Sequence, residues 1–357
     1  MFYSVKMKGG NKMKRIIISV LCSVMVFAFT GCGSNKVKLN VYNVGDYIDE
    51  EIIDMFEEEN PDIKVNYETY YTNEEMYVKV ANNGSDYDIV VPSDYMLEKM
   101  KDEGLLQKIN YDNIPNYKNI GEEFKNLAYD KNNEYSVPYM WGTMGILYNK
   151  TMVKEPVDSW KILWDKKYEK QIFMLDSERD TLGITLKMLG YSMNSGNDKE
   201  LKEAKQALID QKPLVLAYCG DEVKDKMING EAALSVVWSG DAYYCMAENP
   251  DLMYAIPKEG SNMWFDALAI PTTSKHKEEA ERFINFLSRP DIAKKNVDYI
   301  QYSTPNNAAR EMLDDEIKND KLRYPDIKNM TNMEIFKYDK ELTRKYSEIW
   351  QDMKISE

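Results

Sequence analysis

Beyond residue 36 the apolar positions switch period several times along the chain. Val37, Leu39 and Val41 alternate with polar residues and predict a half-buried strand. Ile48, Ile52 and Phe56 then recur at every fourth position, a helical stripe that "NPD" at Asn60–Asp62 ends. "IKVNY" (Ile63–Tyr67) predicts a second strand, residues near 73–82 a helix, and "YDIVV" (Tyr87–Val91) a continuous apolar strand. "SDYMLEKMKDEG" begins another helix that stops at Gly104. Strands and helices in alternation predict a parallel α/β sheet.

The middle of the chain repeats this style. "QIFML" (Gln171–Leu175), "LVLAY" (Leu214–Tyr218) and "ALSVVW" (Ala233–Trp238) read as strands, with helices ending at Gly190 and running near Glu200–Gln211. After Pro271, Ala280, Phe283, Ile284 and Leu287 share one face of an amphipathic helix. Two α/β units are expected, with a crossing near Trp141–Tyr148 and a return near Trp264–Pro271. A length of 357 residues agrees with two domains.

Ligands of open α/β sheets bind beyond the carboxyl ends of the strands. At those ends lie Asp46 and Tyr47, then Ser93, Asp94 and Tyr95, then Asp176, Ser177 and Asp180, and finally Trp238 and Asp241. In "MWFDALAIP" alternation puts Trp264 and Asp266 on one strand face, with Phe265 opposite. Aromatic rings beside carboxylates form a cage for an organic cation: ring faces attract the charge, and carboxylates fix the nitrogens. Taken singly, each residue also has a structural role open to it. Ser93, Asp176 and Asp180 could cap helices, and a Tyr or Trp at a strand end could simply pack.

Composition narrows the chemistry. There are 26 Tyr and 6 Trp but one histidine, His276, which argues against His-dependent metal sites or Ser-His-Asp catalysis as the main function. Residues 1–15 carry Lys6, Lys8, Lys12, Lys14 and Arg15 and no acid, and an apolar run follows from Ile16 to Gly31. A basic start, a short apolar run and small residues at its end form an export signal over residues 1–31. The run is short for a stable membrane span. "MKR" before it makes Met13 an alternative start. "FTGC" (Phe29–Cys32) resembles the bacterial lipoprotein box, with Phe29 where leucine is usual, and implies lipidation of Cys32. Losing the five positive charges of the signal takes the formal net charge from −14 to −19. So acidic a chain is ill suited to nucleic acid and can steer cationic ligands. Cys219 and Cys245 remain after Cys22 and Cys32, and their spacing does not demand a disulfide.

Across nearly all of the mature chain, "ETYYTNEEMYVKV", "YDIVVPSDYMLEKM", "EYSVPYMWGTMGILYN", "VVWSGDAYY", "MWFDALAIP", "FINFLSRPDIAKKN" and "YSTPNNAAR", in that order, carry a likeness. The sequence resembles the periplasmic spermidine/putrescine-binding proteins of bacterial ABC transporters. That resemblance implies a two-lobed periplasmic-binding-protein fold (type II), each lobe a mostly parallel sheet flanked by helices, with the ligand in the interlobe cleft. The expected division is 37–142 plus 266–310 for the N-terminal lobe and 143–265 plus 311–357 for the C-terminal lobe.

The resemblance also implies a polyamine ligand, delivery to a membrane permease, no cofactor, no metal and no catalysis. The expected protein is a monomer, lipid-anchored outside the cytoplasmic membrane. Its implied ligand residues are an aromatic wall of Tyr47, Trp238, Trp264 and Tyr302, the pair Ser93 and Tyr95, and the acid Asp266. Asp46 and Asp180 stand where glutamates are usual, and Ser177 where an aspartate is, beside Asp176. Val44-Gly45 replaces a tryptophan-threonine pair, and a ligand-binding glutamine has no clear equivalent around Phe336–Tyr338. Two other readings are weighed against this one. The same fold could hold another amine, an amino acid or a metal complex, or an exported glycosidase could use paired carboxylates.

Overall fold

Val37–Val44 forms the first strand, β1, and pairs in parallel with β2 (Ile63–Tyr70) and β3 (Ile89–Val90). The computed structural model describes residues 36–82, 86–330 and 332–356. The expected export signal and the lipidation residue Cys32 lie outside these residues. Helices Glu51–Glu59, Asn73–Ala81 and Asp94–Asp102 follow the three strands in turn, as the changing period predicts. The third strand is shorter than its apolar run. Tyr87 precedes it and Val91 follows it, because only Val41 and Tyr42 of β1 face Ile89 and Val90 across the ladder.

β4 (Ser136–Asn149) is fourteen residues long and runs through both halves of the molecule. Ser136–Thr143 pairs antiparallel with β9 (Met263–Ala269), and Met144–Tyr148 pairs antiparallel with β7 (Leu234–Trp238). β5 (Ile172–Leu175) lies in parallel between β6 (Val215–Cys219) and β7, and β8 (Leu252–Ala255) pairs with β4. The strand order is β2-β1-β3-β9-β4-β7-β5-β6. Each half therefore has parallel outer strands and antiparallel contacts where the chain crosses and returns.

Separate apolar cores mark the two halves. Tyr42, Phe56, Trp141, Phe265 and Phe283 belong to the first, and Met144, Trp160, Ile172 and Val236 to the second. The chain passes from one to the other between Trp141 and Met144, and comes back at Met263. Trp264 and Phe265, expected with the second lobe, pack in the first core, as do Leu313 and Tyr324, whereas Phe336 packs in the second. The C-terminal helix Lys340–Ile355 covers the helices Glu178–Met188 and Asp198–Gln211 through Leu342, Tyr346 and Met353.

A cation-attracting cleft between the two cores

Strand ends from both halves converge on one cleft of about 670 Å³. The size lies within the range of small-molecule sites. All ten residues expected to bind ligand line it: Asp46, Tyr47, Ser93, Tyr95, Ser177, Asp180, Trp238, Trp264, Asp266 and Tyr302. β1, β3 and β5 deliver their residues in the loops or helix starts just past their carboxyl ends, and β7 delivers Trp238 as its last residue. Tyr302 arrives differently. Gln301 ends the Pro290–Ile300 helix in a left-handed conformation (φ 63°), which turns the chain so that Tyr302 enters the cleft.

Among the described residues, ten carboxylates line the cleft, from Asp46, Glu74, Asp94, Asp176, Glu178, Asp180, Asp221, Glu222, Asp241 and Asp266, against two cations, Arg179 and Lys224. This excess of negative charge in a partly desolvated space favours a cationic guest.

Asp266 is the centre of the arrangement. β9 is buried along its whole length, and Asp266 is 7% exposed. The Tyr47 hydroxyl donates a 2.6 Å hydrogen bond to Asp266 Oδ2. Oδ1 is buried and has no hydrogen-bond partner among the described residues, and the same holds for Trp264 Nε1 two residues away. Leaving a buried carboxylate oxygen unpaired costs about 1–3 kcal/mol or more, which a ligand donor would offset. Burial pushes the Asp266 carboxyl up to about 6, while the Tyr47 and Ser93 side chains pull it back. Phe265, on the opposite face, lies in the first core with its ring 6.2 Å from that of Trp141.

Rings wall this carboxylate. Tyr302 stands edge-to-face with Trp264 (5.4 Å between centroids) and with Tyr47 (5.2 Å). Such pairs contribute roughly 0.5–1.5 kcal/mol each beyond their burial. Tyr302 is held against Gly240, where an added Cβ would lie 2.3 Å from its ring. No other residue fits there without moving the tyrosine. Burial also raises Asp241 to about 6, with the Lys224 ammonium and the Tyr302 hydroxyl opposing the rise.

Some expected residues line the cleft but are already engaged. Ser177 caps the Glu178–Met188 helix at Asp180 N, and its hydroxyl donates to Asp180 Oδ2 at 2.9 Å. Asp180 is otherwise buried, which pushes it up to about 6. Asp176, the neighbour of Ser177, is exposed and paired with Lys354 at 2.6 Å. The Tyr95 hydroxyl donates to Glu74, and the Arg179 guanidinium lies 4.1 Å over its ring. Asp94 is spent on backbone, accepting from Tyr95 N and Phe265 N at 2.7 and 3.1 Å. Cys219 and Cys245 are both buried and free.

The family described as bacterial extracellular solute-binding protein matches residues 51–325. The spermidine/putrescine-binding periplasmic protein of Salmonella typhimurium is 38% identical over 323 residues, covering 90% of this chain and 92% of its own. That of Escherichia coli is 39% identical over 298 residues, covering 83% and 85%.

The chain belongs to the bacterial extracellular solute-binding proteins.

Among solved structures, the spermidine/putrescine ABC transporter substrate-binding protein of Streptococcus pneumoniae superposes with a TM-score of 0.78 at 44% identity, covering 90% of this chain and 99% of that one. The two-lobed fold expected from the sequence is thus the fold of this solute-binding protein.

Its cleft also holds residues that were not singled out from the sequence. Asp221 and Glu222 follow β6, so the rule that ligands gather beyond strand carboxyl ends places them in the cleft as well. Glu74 and Arg179 sit one residue inside or at the start of helices, where a cap or a surface position is the ordinary expectation. Only the packing of the two halves brings them to the cleft.

Proposed function

We propose that this solute-binding protein captures a polyamine, putrescine or spermidine, outside the cytoplasm and delivers it to the permease of an ABC transporter. It acts as a monomeric receptor and not as an enzyme. The observation that carries the reading is the unpaired, buried Asp266 Oδ1 beside Trp264, Tyr47 and Tyr302 in an acid-lined cleft. An ammonium there gains a charge-assisted hydrogen bond while its methylenes lie on the rings. The names of the relatives from Salmonella typhimurium and Streptococcus pneumoniae support the same ligand class.

Thermal unfolding tests the proposal directly. A ligand present at a hundred times its Kd adds about 2.7 kcal/mol to the stability of the native state. Putrescine or spermidine is expected to raise Tm by several degrees, with no rise from glutamate or glucose. No shift with either amine, or a larger one with an amino acid, overturns the assignment.

For the first 32 residues we propose an export signal and a lipid anchor on Cys32, supported by the basic start, the apolar run and "FTGC". Wild-type protein is expected in the membrane fraction of producing cells, with Cys32→Ser moving it to the soluble fraction. Unchanged partitioning of Cys32→Ser overturns the anchor while leaving the ligand assignment untouched.

A further inference from the structure

Lys224 has no part in the cage described above, yet it stands inside the same cleft. It projects from the Val223–Ile228 helix after β6, and its Nζ lies 3.2 Å from Asp46 Oδ2 in the loop after β1. The ion pair joins the two halves of the molecule. Lys224 is its inner member, with a side chain 16% exposed against 77% for Asp46. Burial disfavours its charge, but Asp241, Asp221 and Asp46 together outweigh burial and hold the ammonium protonated. The loops are pressed together at this point: an added Cβ at Gly45 (φ 25°) would lie 2.4 Å from Asp221 Oδ2. Asp266 and Asp180, elsewhere in the cleft, make no ion pair among the described residues; Asp266 accepts from the Tyr47 hydroxyl and Asp180 from that of Ser177.

We infer that Lys224 is a built-in ammonium that fills one cationic subsite of the cleft, so that the site takes a diamine in preference to a triamine. This rests on the polyamine reading of the cleft. A ligand with two ammonium groups can use the free carboxylates and leave the Lys224–Asp46 pair intact. A third ammonium must either approach the lysine, a like charge in a desolvated space, or strip it of its carboxylate. Gly45, having no Cβ, leaves room for the Asp221 loop beside it, which keeps Lys224 within reach of Asp46.

Isothermal titration of putrescine and spermidine into wild type, Lys224→Met and Lys224→Arg tests this. Wild type is expected to bind putrescine more tightly. Lys224→Met is expected to raise spermidine affinity relative to putrescine at least tenfold, and Lys224→Arg to keep the wild-type ratio. If Lys224→Met does not fold, Lys224→Gln removes the charge with a polar end and is read the same way. A ratio unchanged in the neutral variant, with both affinities moving together, makes Lys224 a latch between lobes and overturns the inference. A wild type that prefers spermidine tenfold or more also overturns it. Binding of neither amine by wild type removes the polyamine reading itself, an outcome distinct from both.

Discussion

Asp266→Asn is expected to weaken polyamine binding by about 100-fold or more while leaving the unliganded protein at least as stable as wild type. The two effects have one cause. Asp266 is buried with one oxygen unpaired, so its charge is costly in the empty cleft. A cationic ligand turns that cost into a charge-assisted hydrogen bond, about 1.5–3 kcal/mol, to which the coulombic attraction of the desolvated site adds. A loss near 2.7 kcal/mol corresponds to about 100-fold in Kd. Asparagine keeps the size and can still accept from Tyr47, so packing against Trp264 and Tyr302 survives. Titration calorimetry reads the affinity and thermal unfolding the stability. An affinity within threefold of wild type would show that the ligand nitrogen binds elsewhere.

Acidification from pH 7 to pH 5 is expected to cut the affinity by roughly 100-fold. Burial brings Asp180, Asp241 and Asp266 each to about 6. Each is mostly ionised at pH 7 and mostly protonated at pH 5, while the amines of the ligand stay charged throughout. Every carboxylate that must be ionised for binding contributes about tenfold over this window, and two of them give the expected loss.

Stability without ligand moves the other way. These carboxyls have native values above their unfolded ones, so their contribution to stability is full below about 4 and is lost as the pH rises through about 6. The unliganded Tm should therefore hold or rise slightly on acidification to pH 5 while the ligand-induced shift shrinks. The acids held below their ordinary range by basic partners, such as Asp62 and Asp291, release their stabilisation only at lower pH and do not enter the window. A ligand affinity that is flat between pH 5 and 7 would mean that these three carboxylates do not face the bound amine.

Much of the site is readable one residue at a time, for a geometric reason. Successive strands of an α/β sheet end on the same side, so residues distant in sequence but placed after strands share a location. That is why Asp46, Ser93, Tyr95, Asp180 and Trp238 could be collected before any fold was known. Alternation along β9 likewise separates Trp264 and Asp266 from Phe265. The long β4 is recognisable only as a crossing, because a strand buried on both faces from Ser136 to Leu147 carries no period to read.

The sequence by itself determined the order of strands and helices, the placing of acids and rings at strand ends, and the likeness that names a ligand class. Those properties are local, fixed by side-chain period and by turn chemistry within a few residues. The tertiary structure alone decided which of the ring faces and carboxylates stay free. It set Arg179 over Tyr95, gave Asp176 to Lys354, and brought Lys224 to Asp46 across 178 positions of sequence. Charge pairing depends on distances of a few ångströms between elements far apart in the chain, and no local pattern encodes how closely two lobes approach.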